Sequence, residues 1–535
     1  MKNIKLTKDN LSKLYGKISP FEFKDLLISL AQLKGNYLLD AGRGNPNWTA
    51  ATPRQAFFTF GQFAVLETQR VWKNGSLAGM AEKDGIYIRL VDFLKNNPTA
   101  PGVDLIYKIA DYGINTLGFN GDDWIYELTD GIIGDNYPVP DKMLIHIEKV
   151  VHNYLMQELC QNKSFDEKFD VFAVEGGTAA MCYIFDSLVV NNLLKSGDTV
   201  ALMTPIFTPY LEIPHLPNYN LNVVHIHANE TDEDGKPTWQ YPVDELEKLK
   251  DTNIKVLFVV NPNNPASIAL SRDCKDNLIT IVREHNPNLM IITDDVYGTF
   301  VDNFNSLVGE LPYNTLCVYS MSKYFGVTGW RLGTILLSQN NIFNKLIKEL
   351  PEDMKSELNE RYKHLSQTPE TLLFMDRLVA DSRQVALNHT AGLSTPQQVQ
   401  MAFFSIFALT DTYNEYKNLT KEICINRKKL LFKGLELDYI KSRHDASYYT
   451  EINLLDLAMA KYGEDFTYYL SNNYSPFEAL YDLAEKHSVV LLNGDGFASS
   501  KWSLRVSLAN LNDDAYEQIG QAIKNILLNK FKEFI

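Results

Sequence analysis

The sequence predicts an α/β fold with a mostly parallel central sheet wrapped by helices, plus a smaller α+β domain built from both chain ends. Three observations carry this. Between about 169 and 338, short β-branched and aromatic runs alternate with helix-like stretches, as parallel strands covered on both faces do. Residues 1 to 130 read instead as helices broken by Gly/Pro-rich stretches such as AGRGNPNW and NNPTAPG. Residues 440 to 535 mix strands with helices. The boundaries drawn are 1–140 for an N-terminal extension and part of the small domain, 141–393 for the large domain and 394–535 for the C-terminal small domain.

FDVFAV (169–174) is the first strand and leads through EGGT into the helix-like AAMCYIFDSLVVNNLL. DTVALMT (198–204) stops at Pro205, IKVLFVV (254–260) at NPNNPAS and LMIIT (289–293) at DDVY. TLCVYS (315–320) and RLGTILLS (331–338) flank MSKYFGVTGW. Residues 341 to 390 are polar and helical, and STPQQVQMAFFSIFAL (394–409) reads as a long helix with Ser394 or Thr395 at its N-terminus. No internal repeat or low-complexity tract interrupts the pattern.

The chain has 535 residues, 45% hydrophobic and 22% charged, which is an ordinary globular balance. A net charge of −15 argues against nucleic acid as a main partner, because phosphate binding needs a basic surface. It leaves room for a basic pocket that takes small acidic substrates. The five cysteines, Cys160, Cys182, Cys274, Cys317 and Cys424, form no CxxC and mostly sit among apolar residues. Reduced thiols in a cytoplasmic protein are expected. MKNIKLTKDN has no apolar signal core, and no run reaches the ~18 apolar residues of a membrane span. The histidines show no ligand spacing, so no metal site is expected.

Ligands bind beyond the carboxyl ends of strands in such sheets. EGGT, NPNNPAS, DDVY and SMSK each follow an apolar run directly, so four polar endings converge on one place. Gly177 and Thr178 lie where a strand turns into a helix, and the helix N-terminus favours an anion there. Ser320, Ser322 and Arg331 add phosphate donors. Taken alone, each is also an ordinary turn residue. Together they set a phosphate within reach of Lys323, which becomes nucleophilic when its pKa falls. A phosphate-bearing aldehyde that forms a Schiff base with lysine is pyridoxal 5′-phosphate. That cofactor needs a carboxylate against its ring nitrogen. Asp294 is the first choice and Asp295 the second. Tyr297 and Asn264 can hydrogen-bond the ring's 3′-oxygen.

These residues resemble the aspartate aminotransferase family of fold-type I pyridoxal-phosphate enzymes. The matching motifs are GGT (176–178), NPNNP (261–265), D-x-x-Y (294–297), S-x-S-K-x-x-G-x-x-G-x-R (320–331) and L-R-V-S (504–507). The resemblance implies that Lys323 bonds the cofactor, that Gly177, Thr178, Ser320 and Arg331 hold its phosphate, and that Arg505 binds a substrate α-carboxylate. Two positions depart from the family pattern. Ser267 stands where NPTG has glycine, and Phe207 stands where a tyrosine or tryptophan stacks on the ring; a phenyl face can still stack. SPFEFKDLL, AGRGNPNWTATPRQAFFTFGQFAVLE, GDNYPVPDKML and GFASSKWSLRVSLANL resemble the long-chain aspartate 4-decarboxylase branch.

That branch implies conversion of L-aspartate to L-alanine and carbon dioxide, with transamination on the side and 2-oxo acids restoring the aldehyde. The second substrate carboxylate needs another cation, for which Arg43 is the choice and Lys24 the weaker candidate. Tyr137 fits the family position that reaches the phosphate of a neighbouring subunit. A dimer is then the minimum homo-oligomer, and the branch suggests a dodecamer. A dedicated aspartate or aromatic aminotransferase is the alternative. A DNA-binding regulator is disfavoured, because residues 1–130 carry 15 basic and 14 acidic residues without a basic cluster.

Overall fold

A strand with no polar face is hidden only when helices cover both sides of its sheet. TLCVYS is buried at every position. The computed structural model, which describes residues 20–32, 37–72, 77–383 and 392–535, places this run inside a seven-stranded sheet. MKNIKLTKDN lies outside the described residues.

In chain order the strands are β1 (Leu39–Asp40), β2 (Phe169–Glu175), β3 (Thr199–Thr204), β4 (Asn222–His227), β5 (Ile254–Val260) and β6 (Met290–Asp294). β7 (Thr315–Ser320), β8 (Leu332–Ser338), β9 (Tyr449–Asn453), β10 (Val489–Val490), β11 (Leu492–Asn493) and β12 (Ser503–Ser507) follow. The large sheet has the order β2-β8-β7-β6-β5-β3-β4. From β7 to β4 every pairing is parallel, whereas β8 runs antiparallel to both β2 and β7. The short 321–331 link between β7 and β8 explains this, since a parallel return needs a crossover of a dozen residues or more. All the expected strands of this region are present. β4 was not anticipated, because NVVHIH at the sheet edge is exposed at both ends and forms no apolar run.

The helices that matter here are α1 (Pro20–Gln32), α2 (Ala51–Val71), α3 (Ile145–Cys160), α4 (Gly177–Val190), α5 (Arg272–Glu284), α6 (Thr395–Leu409), α7 (Glu415–Leu435) and α8 (Asp513–Phe534). Strand residues alternate between faces. Phe172, Phe258 and Ile292 meet Ile184 and Leu188 of α4 on one side. On the other, Cys317 and Leu336 meet Tyr154 of α3 and Phe404 of α6. Leu257 and Ile291 meet Leu278 and Val282 of α5 further along that side. α6 begins after Ser394, whose hydroxyl turns to Gln397 instead of capping the backbone.

A separate core joins the two chain ends. Phe23 and Leu27 of α1 pack with Leu431 of α7, Ile452, Leu504 and Ile519 of α8. Its strands are the antiparallel set β11-β12-β9 and the parallel pair β1–β10. α6, the first element after 394, packs with α2 and α3 on the large sheet instead of in this core. All five cysteines are free thiols, and all but Cys182 are buried. Among the described residues, no helix is long and apolar enough to cross a membrane.

The contact of α7 with α8 depends on two glycines. A Cβ on Gly434 would lie 2.2 Å from the Glu517 carbonyl oxygen, and one on Gly520 would lie 2.3 Å from that of Leu431. Both obstacles are backbone, so neither rotates away. Gly520→Ala is expected to cost about 1–3 kcal/mol through forced separation of the helices, read as a lower denaturant midpoint; an unchanged midpoint would contradict this packing.

Candidate active site

The carboxyl ends of β2, β5, β6 and β7 meet the start of β8 around a cavity of about 220 Å³. Because β8 is antiparallel, Arg331 at its start lies at the same edge as the ends of β2 and β7. One part of the cavity lining gathers groups that could hold an anion. Gly177 opens α4, with Thr178 in its first turn. Ser320 Oγ lies 2.9 Å from Ser322 Oγ, and the Ser322 N–H donates back to Ser320 Oγ at 3.3 Å. Arg331 Nη1 donates to the Thr328 carbonyl at 3.0 Å, and no carboxylate among the described residues pairs with this guanidinium. Its Nη2 lies over Gly176, where a Cβ would come within 2.4 Å. Gly176 also has φ 88°, which favours glycine on its own account.

Asp294 ends β6 and lines the cavity. Its Oδ2 accepts a hydrogen bond from Tyr210 Oη at 2.5 Å, and its Oδ1 accepts one from the Val296 N–H at 3.2 Å. Burial pushes its carboxyl up, while the Tyr210 and Val296 donors and the Lys323 charge oppose this. A cationic ring nitrogen in the cavity would supply the missing compensation. Asp295 faces the other side of the strand. It accepts hydrogen bonds from Thr293 Oγ1 at 2.6 Å, from Ser306 and from Cys317 Sγ at 3.3 Å. Burial pushes the Asp295 carboxyl up to about 7. The two candidate aspartates therefore separate by strand alternation, and Asp294 alone lines the cavity.

Lys323 Nζ donates to the Gly44 carbonyl at 3.0 Å, and Tyr448 Oη donates to the same oxygen at 2.8 Å. Arg505 on β12 is 1% exposed. Its Nη1 donates to Asn264 Oδ1 at 3.1 Å and its Nη2 to the Gly42 carbonyl at 2.7 Å. Its Nε is buried without a hydrogen-bond partner. The ring centroids of Tyr449 and Phe497 lie 4.3 Å and 4.8 Å from Arg505 Cζ. Burial lowers the Arg505 pKa, opposed by the neighbouring tyrosines and Asp40. Tyr297 Oη lies 3.0 Å from Tyr449 Oη. Phe207 lines the cavity with its ring edge-on to Phe21 and Tyr210.

Three residues singled out from the sequence lie elsewhere. Arg43 Nε donates to Asp40 Oδ2 at 2.9 Å, and its side chain is 57% exposed. Lys24 pairs with Asp25 at 3.6 Å and lays its stem against Gly42. Tyr137 is 68% exposed. None of the three lines the cavity. Conversely, Phe21, Gly44, Tyr210 and Tyr449 line it and were not read from the sequence. Tyr210 had a signal, standing three residues after Phe207 in PIFTPY. Tyr449 had none, because a tyrosine in a short buried strand is indistinguishable from core. Among the described residues, no group of histidine, cysteine or acidic side chains could hold a metal ion.

The residues present fit pyridoxal phosphate. The cavity offers an anion cradle at one end, a buried carboxylate awaiting a cation in the middle, one lysine amine and an orphaned buried guanidinium N–H. Asp294→Asn is expected to lower cofactor affinity and activity at least about tenfold, whereas Asp295→Asn leaves both within about twofold. The effect expected of Asp295 is on stability instead. Its pKa rises on folding from 3.8 to about 7, so the folded state holds the proton more tightly. Its contribution is full below about pH 4 and is lost as pH rises through 7. The wild-type denaturant midpoint should fall between pH 5 and 8, and Asp295→Asn should flatten that fall; an equal slope in the variant would contradict the assignment.

Residues 155–523 match the family model for aminotransferase class I and II. The chain is 45% identical over 520 residues to a protein of Pseudomonas sp named bifunctional aspartate aminotransferase and L-aspartate beta-decarboxylase, across 97% of each chain. It is 28% identical over 151 residues to aspartate aminotransferase of Thermotoga maritima, covering 28% of this chain and 38% of that one. Among solved structures, aspartate aminotransferase from Thermus thermophilus with maleate superposes with a TM-score of 0.59 at 15% identity, covering 98% of this chain and 100% of that one.

Proposed function

The chain belongs to the class I and II aminotransferase family, and from that premise we propose that it is a pyridoxal-phosphate enzyme that removes the side-chain carboxylate of L-aspartate as carbon dioxide, leaves L-alanine, and transaminates aspartate as a second activity. The observation that carries the choice of aspartate and of decarboxylation is the 45% identity, along 97% of both chains, to the bifunctional Pseudomonas protein.

When bound, pyridoxal phosphate supplies an aldehyde that links to amines and a protonated ring that takes up the electron pair released at substrate carbon. The rest falls to the chain's own side chains. Gly177, Thr178, Ser320, Ser322 and Arg331 hold the phosphate, and Phe207 covers a ring face. Asp294 keeps the ring nitrogen protonated, with Tyr210 and the Val296 N–H fixing the carboxylate. Tyr297 and Asn264 reach the 3′-oxygen. The Lys323 amine would hold the cofactor's aldehyde end and would carry the proton from the substrate Cα and return one to the product. Arg505 takes the α-carboxylate, and its free Nε–H is a donor for it. Arg43 takes the second carboxylate after leaving Asp40, with Lys24 beside it. Phe21 and the 42–44 loop exclude water. Tyr137 reaches the phosphate in a neighbouring subunit, which makes a dimer the minimum unit, within a larger assembly of up to twelve subunits. The compartment is cytoplasmic, in keeping with free buried thiols.

Decarboxylation and transamination diverge late, and a barrier difference of ~1.4 kcal/mol changes their ratio tenfold. The test is a product assay with purified protein, pyridoxal phosphate and L-aspartate, followed by NMR. Catalytic alanine without any added 2-oxo acid is expected. Oxaloacetate that forms only with 2-oxoglutarate, and no alanine, would make the protein a dedicated aminotransferase. Lys323→Ala should lose about 10³-fold in both activities.

A further inference from the structure

Ser267 is the position where this chain departs from the glycine of NPTG, and it keeps a left-handed backbone with φ 63°. Such a conformation strains a serine, and something must offset the strain. Ser267 Oγ accepts the backbone N–H of Tyr449 at 2.8 Å, and the Ser267 carbonyl accepts that of Ala446 at 2.9 Å. The serine thus ties the start of β9 to the loop that carries Asn264. Tyr449 then makes two contacts with groups that touch cofactor and substrate. Its ring lies 4.3 Å from Arg505 Cζ, and its hydroxyl lies 3.0 Å from Tyr297 Oη. The hydroxyl also sits against Gly44, where a Cβ would approach it to 2.3 Å.

We propose that Tyr449, held by Ser267, is a positioning residue that couples the two ends of the substrate site: its ring supports the Arg505 guanidinium, and its hydroxyl donates to Tyr297 so that Tyr297 donates to the cofactor's 3′-oxygen. The proton order follows from the acceptors. With the Tyr297 O–H donating a hydrogen bond to the ring oxygen and keeping its proton, the Tyr297 oxygen is left as an acceptor, and Tyr449 is the hydroxyl within reach. A donor chain of this kind strengthens each member. It stabilises negative charge on the 3′-oxygen and so weakens that oxygen's hold on the proton shared with the lysine–cofactor nitrogen. Loss of the Tyr449 hydroxyl therefore raises the pKa of that nitrogen.

This inference rests on pyridoxal phosphate occupying the cavity as described above. The test is a pH titration of the cofactor's visible absorbance in the holoenzyme, together with the KM for aspartate, for wild type, Tyr449→Phe, Tyr449→Leu and Ser267→Gly. Tyr449→Phe keeps the ring and loses the hydroxyl. Its spectral pKa should rise by about half a unit, with KM within about twofold. Tyr449→Leu should show the same spectral rise and a KM about fivefold higher, from loss of the ring under the cation. Ser267→Gly relieves the backbone strain, so it folds, and it should shift the spectral pKa in the same direction by a smaller amount. A Tyr449→Phe titration that overlays wild type would overturn the proposal even if the leucine variant fails to fold. Equal KM values in the phenylalanine and leucine variants would overturn the role of the ring. A wild-type holoenzyme without a titrating visible band would overturn the cofactor placement, and the proposal with it.

Discussion

A guanidinium buried to 1% exposure is the constraint around which the site is organised. Removing such an ion from water costs several kcal/mol unless the surroundings compensate it. No carboxylate among the described residues pairs with Arg505. Compensation comes instead from the Asn264 amide oxygen, the Gly42 carbonyl and the faces of Tyr449 and Phe497. These four partners belong to four distant stretches of chain: the N-terminal loop, the β5 loop, β9 and the turn before β12. The charge in turn stays available, since none of the partners neutralises it. A carboxylate brought against Arg505 would meet a cation that is already desolvated, where attraction is strongest.

The large sheet distributes the remaining chemistry by strand order. β2, β8 and β7 are neighbours, so Gly177, Arg331 and Ser320 form the anion end. β6 and β5 follow, and Asp294 and Asn264 come next along the same edge. The antiparallel direction of β8 is essential to this, because a parallel strand would carry Arg331 to the opposite edge. Alternation along β6 then assigns the two aspartates. Asp294 faces the cavity, and Asp295 is enclosed by Thr293, Ser306 and Cys317 on the far side.

The N-terminal stretch closes the site through its backbone more than through its charges. Gly44 lends one carbonyl to both Lys323 and Tyr448. The Gly42 carbonyl faces Arg505, while Arg43 between them turns outward to Asp40. Helix α1 sets Phe21 beside Phe207 and Phe497, which gives the cavity an aromatic wall on the side away from the sheet.

The sequence by itself determined the strands of the large sheet, their mostly parallel sense and the polar ends that line the cavity. Local pattern was enough there, because a strand buried on both faces needs an unbroken apolar run and its functional residues must follow at its end. Lys323, Asp294 and Arg331 could be singled out for that reason, whereas Arg505, inside β12 of the small sheet, was reached only through the family resemblance. β4 was not, since an edge strand needs no such run. Tyr449, Phe21 and Gly44 line the cavity only because β9, α1 and the N-terminal loop meet the sheet. Tertiary structure alone also decided that, of the two aspartates, Asp295 is the one turned away from the cavity. Pairing across hundreds of residues leaves no mark in local spacing, and the direction of a side chain depends on which neighbour satisfies its charge.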